Sequence, residues 1–182
     1  RAITLAPDWA SPYGEKAQLL LIARGDAAGA RAVIRQALDR VGLGPLSRSV
    51  FSTDQIVGPL FSSDSATGPL VDSLRLQGFA GDTMHYYFLK TESALFRERA
   101  AAGRGYADSL REVLERGLRT GPGDAYDLHR LAFAYAALGR KVEAVRAARR
   151  SVELMPVSRD ALIGPYFVVG LARTYMMVGE LD

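Results

Sequence analysis

The chain has 182 residues, 48% of them hydrophobic and 24% charged, with 18 glycines, 8 prolines, 2 histidines and no cysteine. Such a length and balance can bury a sizeable core, and the missing cysteine excludes disulfides, thiol catalysis and cysteine-ligated zinc or iron–sulfur centres. No apolar run approaches the ~20 residues that span a bilayer, and a net charge of +3, from 23 basic against 20 acidic residues, is too small an excess to indicate a polyanion partner.

Residues 1–7 read as the last turns of a helix that Pro7 closes. Residues 8–41 then read as a helical hairpin, with Ala17, Leu21, Ala30, Ile34 and Ala37 at small-and-aliphatic helical spacing and Gly25 between the two arms. The stretch 42–82 breaks this pattern. It is rich in Gly, Ser and Pro, carries Gly-Pro-Leu at Gly44, Gly58 and Gly68, and includes the apolar pairs Val50-Phe51, Ile56-Val57, Leu60-Phe61 and Leu70-Val71. Proline after glycine suits the first turn of a short helix, and a flexible linker would lack the apolar pairs. The segment is therefore read as several short helices, either a degenerate hairpin or a functional insertion.

Residues 83–122 form a looser hairpin. Leu89, Ser93 and Phe96 make the first-helix stripe, a loop from Arg97 to Gly105 follows, and Leu110 lies in the second helix. Residues 123–156 give the clearest unit. Leu128, Leu131, Ala132 and Tyr135 form one apolar stripe, and Gly139 ends the helix where positive φ costs little. Ala144, Ala148 and Ser151 line a second helix with small side chains, and Pro156 closes it. After a linker from Val157 to Gly164, residues 160–182 hold a first helix in which Val168, Leu171, Ala172, Tyr175 and Gly179 repeat the Leu128-to-Gly139 spacing. The punctuation recurs as well: Gly105 and Gly139 are 34 residues apart, and so are Pro122 and Pro156.

In these linked positions the chain resembles the tetratricopeptide repeat (TPR) family. The resemblance is close over 123–156, good over 8–41 and the half-unit 160–182, and looser over 83–122. It implies an all-α fold: a right-handed α-solenoid of TPR-like helix–turn–helix repeats over 1–182, interrupted by the irregular segment of short helices. Phrases such as Ala134-Tyr135-Ala136-Ala137-Leu138-Gly139-Arg140-Lys141 are also similar to the C-terminal TPR regions of large bacterial signalling proteins, which carry a serine/threonine kinase or nucleotide-cyclase domain upstream. That likeness implies a docking or regulatory arm. The alternative is a ligand-sensing regulatory module around 42–82, with a pocket bordered by Phe51, Phe61 or Phe79.

Chemistry is sparse. Gly103-Arg104-Gly105 lacks the third glycine and the preceding strand of a phosphate loop. His85 and His129 have no second ligand three or four residues away, and Asp127 and His129 point to different helix faces. Ser109 and Ser151 sit inside helices, where close packing is the ordinary role. No catalytic, metal or cofactor-binding residue is expected, and hence no enzyme. What the TPR resemblance implies is a partner groove lined by first-helix residues off the packing stripe: Glu15, Lys16 and Leu19; His129, Arg130, Phe133 and Ala136; Tyr166, Val169, Arg173 and Met176. Phe133 and Leu19 occupy places where the family's carboxylate clamp has asparagine, so the groove would suit a protein or peptide segment of apolar or acidic-apolar character. Equally, those side chains would meet only neighbouring helices. Arg146, Arg149 and Arg150 read as a solvated face rather than a nucleic-acid site. The ends lack polar caps, which predicts a segment of a longer chain and self-association end to end. No secretory leader opens the chain, so cytoplasmic placement without membrane insertion is expected.

Overall fold

The computed structural model describes residues 2–47, 50, 58, 68–97, 100–121 and 123–180. The described elements are helical, and no strand occurs among the described residues. None of their helices is long and apolar enough to cross a membrane. The chain divides into two compact units, Arg1–Glu98 and Arg99–Asp182.

The first unit opens with the single turn α1 (Ala2–Leu5), followed by the pair α2 (Ser11–Arg24) and α3 (Ala27–Val41). Gly25 takes φ +63° between them, and the Asp26 carboxylate accepts from the Gly29 amide at 2.7 Å to cap α3. Tyr13, Ala17, Ala30, Ile34 and Ala37 are buried together, so the expected stripe is the core of this pair. The Tyr13 hydroxyl donates to the Pro7 carbonyl at 2.7 Å and ties the α1–α2 turn to that core.

Short elements follow: α4 (Leu43–Leu46), α5 (Gly68–Ser73) and a 3₁₀ turn (Leu76–Phe79). The expectation of short helices holds for these stretches. Phe51, Ile56-Val57 and Leu60-Phe61 lie outside the described residues. Helix α6 (Thr83–Phe96) is capped by Asp82, which accepts from the His85 amide at 3.1 Å. Its Lys90 ammonium donates to the Val71 and Asp72 carbonyls at 3.0 and 2.6 Å, holding the end of α5 against α6. Leu89 and Ser93 are buried as the stripe requires, but Phe96 is exposed.

The second unit contains α7 (Ala100–Thr120), α8 (Ala125–Ala137), α9 (Lys141–Leu154) and α10 (Gly164–Val178). Of the loop expected from Arg97 to Gly105, residues 100–105 are helical instead, and residues 98–99 lie outside the described residues. Ala101 and Ala102 carry the helix through Gly103 and Gly105, each of which costs only about 1 kcal/mol in a helix. Ala107, Leu110 and Leu114 then form a buried stripe at helical spacing. Helix α8 packs against α7, α9 and α10, and α9 packs against α10. Between α8 and α9 the contacts are small: Ala132 meets Ala147 and Ala148, and Ala136 meets Ala144. Across α7 and α8, the Tyr135 hydroxyl donates to Glu115 at 2.8 Å while Arg111 donates to the same carboxylate at 2.8 Å.

Helices α8 and α10 end alike. Gly139 and Gly179 take φ +75° and +74°. The Arg140 amide donates to the Tyr135 carbonyl at 2.9 Å, and the Glu180 amide to the Tyr175 carbonyl at 3.0 Å. The shared spacing seen in the sequence is thus a shared helix end. Before α10, the Asp160 carboxylate accepts from the Leu162 and Ile163 amides, both at 2.9 Å, and folds the linker into turns. A Cβ on Gly164 would lie 2.6 Å from Val157 Cα, so the linker backbone occupies that space.

The same substitution at two glycines should therefore have opposite signs. Gly164→Ala must displace backbone and should cost about 1–3 kcal/mol. Gly105→Ala, exposed in α7 with nothing within 4 Å of its new methyl, should add about 0.5–1 kcal/mol. Urea unfolding of both variants checks the pair.

Candidate functional site

The residues expected to line a partner groove fall into two groups with different fates. On α2, Glu15, Lys16 and Leu19 are exposed, and Ile22 extends the apolar surface one turn beyond Leu19. These belong to the first unit and stand by themselves. In the second unit, the α8 members of the expected set are buried. His129, Arg130 and Phe133 are only 4%, 8% and 3% exposed, and Ala136 is buried against α9.

The reason is an aromatic seat between α8 and α10. His129 stacks at a tilt on Tyr166, with ring centroids 5.0 Å apart, and lies 6.2 Å from Phe167. Tyr126 closes the other side, 5.0 Å from Phe167 and 5.5 Å from Tyr166. The Arg173 guanidinium lies over the Phe133 ring at 4.6 Å, and that of Arg130 over Tyr126 at 5.7 Å. Side chains expected to meet a ligand contact one another instead. Of the set on α8 and α10, Val169 and Met176 remain exposed, and Tyr166 and Arg173 are half-buried.

Tyr126, Phe167 and Gly170 belong to this seat and were not singled out in the sequence. Tyr126 was legible, because it stands three and seven residues before His129 and Phe133, on one helix face. Gly170 was not. A Cβ there would lie 2.3 Å from both Cε1 and Nδ1 of His129, so the ring fills the space that any side chain would need.

Another surface lies along α9. A groove of about 760 Å³ has Leu128, Leu131, Tyr135, Val142 and Val145 as its apolar floor, with Lys141, Arg146, Arg149 and Arg150 around it. Glu143, Glu153 and Glu180 also border it. Two of these carboxylates are engaged: Glu143 with Arg140 at 2.7 Å, and Glu153 with Arg150 at 2.9 Å. Arg140 holds the Glu143 carboxyl below the usual range through its hydrogen bond. Arg149 donates to the Tyr175 hydroxyl at 2.8 Å. Lys141 and Arg146 hold no carboxylate at ion-pair distance among the described residues.

The other candidate groups have structural partners. The Ser151 hydroxyl donates to the Ala148 carbonyl at 2.7 Å, and that of Ser109 to the Gly105 carbonyl at 3.2 Å. His85 pairs through Nδ1 with the Asp82 carboxylate that caps its own helix. Phe79, offered as a pocket wall, is buried edge-to-face on Tyr86 at 5.5 Å. Compared with known protein families, curated proteins and solved structures, the chain matches none.

Burial pushes the His129 imidazole down to about 3, and the positive charges of Arg173 and Arg130 add to that effect. Between about pH 3 and 6.5 the unfolded chain therefore binds a proton that the folded chain refuses. Stability should fall by about 1.4 kcal/mol per pH unit across that window as pH drops, and this contribution should be constant above it. Urea midpoints for the wild type and His129→Gln, taken from about pH 4 to 7, should converge as pH falls. Parallel profiles would count against a buried neutral ring.

Proposed function

We propose that the chain is a non-catalytic protein–protein interaction scaffold of TPR-like hairpins, acting as a docking or regulatory arm of a bacterial signalling protein in the cytoplasm. Support for TPR-like repetition comes from α8, α9 and α10. A first helix packs its stripe of small residues on a second, and the next first helix returns to the same spacing with the same left-handed glycine end.

The observation that carries the binding role is the groove along α9. Its apolar floor offers the burial that drives association, and its ring of four cations exceeds the three carboxylates beside it. Because Glu143 and Glu153 are already engaged by Arg140 and Arg150, Lys141, Arg146 and Arg149 are the cations of the groove that hold no carboxylate at ion-pair distance among the described residues. An acidic-apolar peptide segment fits that chemistry: leucine-type side chains over Leu128, Leu131 and Val142, and carboxylates toward Arg146 and Lys141.

Fluorescence polarisation with labelled peptides tests this. A Leu/Glu peptide should bind and a Leu/Lys peptide of equal length should not. The double change Lys141→Glu plus Arg146→Glu should weaken the acidic peptide by about tenfold or more, with helicity by circular dichroism unchanged. Equal binding of both peptides, or a duplex DNA that displaces the acidic peptide, would overturn the reading.

A further inference from the structure

Tyr135 and Tyr175 stand at matching places, each four residues before the left-handed glycine that follows its helix. Each reaches back to the helix before its own. The Tyr135 hydroxyl meets Glu115 of α7 at 2.8 Å, and the Tyr175 hydroxyl meets Arg149 of α9 at 2.8 Å. Glu115 and Arg149 are 34 residues apart, the interval that also separates Gly105 from Gly139. The position that holds an anion in one hairpin therefore holds a cation in the next.

That exchange changes what the tyrosine can still do. Tyr135 spends its one O–H on the Glu115 carboxylate, and the Arg111 guanidinium donates to the same carboxylate at 2.8 Å. The chain thus contains a phenol and a guanidinium converging on one carboxylate. Tyr175 instead accepts from Arg149 Nε, so its own proton must point away from that bond, and it is donated to no group among the described residues. Arg149 is exposed, and its two Nη groups hold no carboxylate at ion-pair distance among the described residues. Of the carboxylates that border the groove, Glu143 and Glu153 are engaged by Arg140 and Arg150, and Glu180 is at ion-pair distance from neither Arg149 nor any other described cation. Arg149 and Tyr175 thus bring to the surface the two donor types that grip Glu115 inside the unit.

We infer that Arg149 and Tyr175 form a subsite for one side-chain carboxylate of the partner, on the α10 side of the groove along α9. This rests on that groove being the binding surface, and it adds the place where one acidic residue of the segment is read. The Nη groups of Arg149 and the O–H of Tyr175 would donate to the oxygens of a single Asp or Glu. The bond from Nε to the tyrosine already holds the guanidinium, so less side-chain freedom is lost when the carboxylate arrives. Such charge-assisted bonds are directional, whereas Lys141 and Arg146 attract any acidic group nearby. The subsite would therefore set the register of the segment. A carboxylate suits it better than a phosphoryl group, because a phenol and a guanidinium are what satisfy Glu115, and a phosphoryl dianion has three oxygens to satisfy.

The test uses the whole chain and the Leu/Glu peptide, with its glutamates changed to glutamine one at a time and binding read by fluorescence polarisation. One of these changes should weaken binding by about fivefold or more, beyond the effect of the others. Against Tyr175→Phe, and against Arg149→Gln, that same change should cost about twofold or less, with circular dichroism unaltered. A chain that binds the peptide but treats every glutamate alike overturns the subsite and leaves the groove standing. So does a preferred glutamate that keeps its full effect in Tyr175→Phe. Failure of the Leu/Glu peptide to bind at all overturns both. Phosphoserine at the preferred position, binding more than about tenfold tighter than glutamate and losing that gain in Tyr175→Phe, would make this a phosphoryl site and overturn the carboxylate assignment.

Discussion

The second unit depends on the absence of one carbon atom. His129 can lie between α8 and α10 because Gly170 offers bare backbone where a Cβ would sit 2.3 Å from the ring. With the ring seated, Tyr126, Tyr166 and Phe167 close around it in tilted and edge-to-face contacts that aromatic quadrupoles favour. Phe133 and Arg173 then stack one turn further along. The face between the two helices is consumed by its own packing, and the imidazole is held neutral because charging it there would be expensive.

The groove along α9 combines an apolar floor with cations, and its attraction for a partner would be screened by salt. The groove lies beside the small-residue contact between α8 and α9. That contact draws α9 close to α8 and leaves α9's long side chains outward.

The parts of this architecture legible in the sequence are those decided locally. Ala144, Ala148 and Ser151 read as a close-packing stripe because spacing and size are written in the chain, and Gly139 reads as a helix end because few other residues take positive φ at low cost. Asp26, Asp82 and Asp124 cap their helices as short polar side chains do. What escaped was set by neighbours distant in sequence. Off-stripe positions on α8 face water or another helix depending on where α10 lies, and nothing near His129 in the chain states that Gly170 makes room for it. The continuation of α7 through two glycines escaped for the opposite reason, because a modest local cost is outweighed by the buried stripe of Ala107, Leu110 and Leu114. The run Lys90, Thr91, Glu92 and Ser93 has the composition of a surface turn, yet all four are buried in α6.

Lys90 also bears on the order in which the first unit assembles. Helix α5 has six residues, well short of the ~12 at which an isolated helix becomes even marginally stable in water. Its last carbonyls, from Val71 and Asp72, are held by an ammonium group eighteen to nineteen residues downstream. On a chain growing from its N-terminus, the Lys90 ammonium can reach those carbonyls only after α6 has emerged. The tie between the two helices is therefore a late contact of the chain, made across eighteen to nineteen residues.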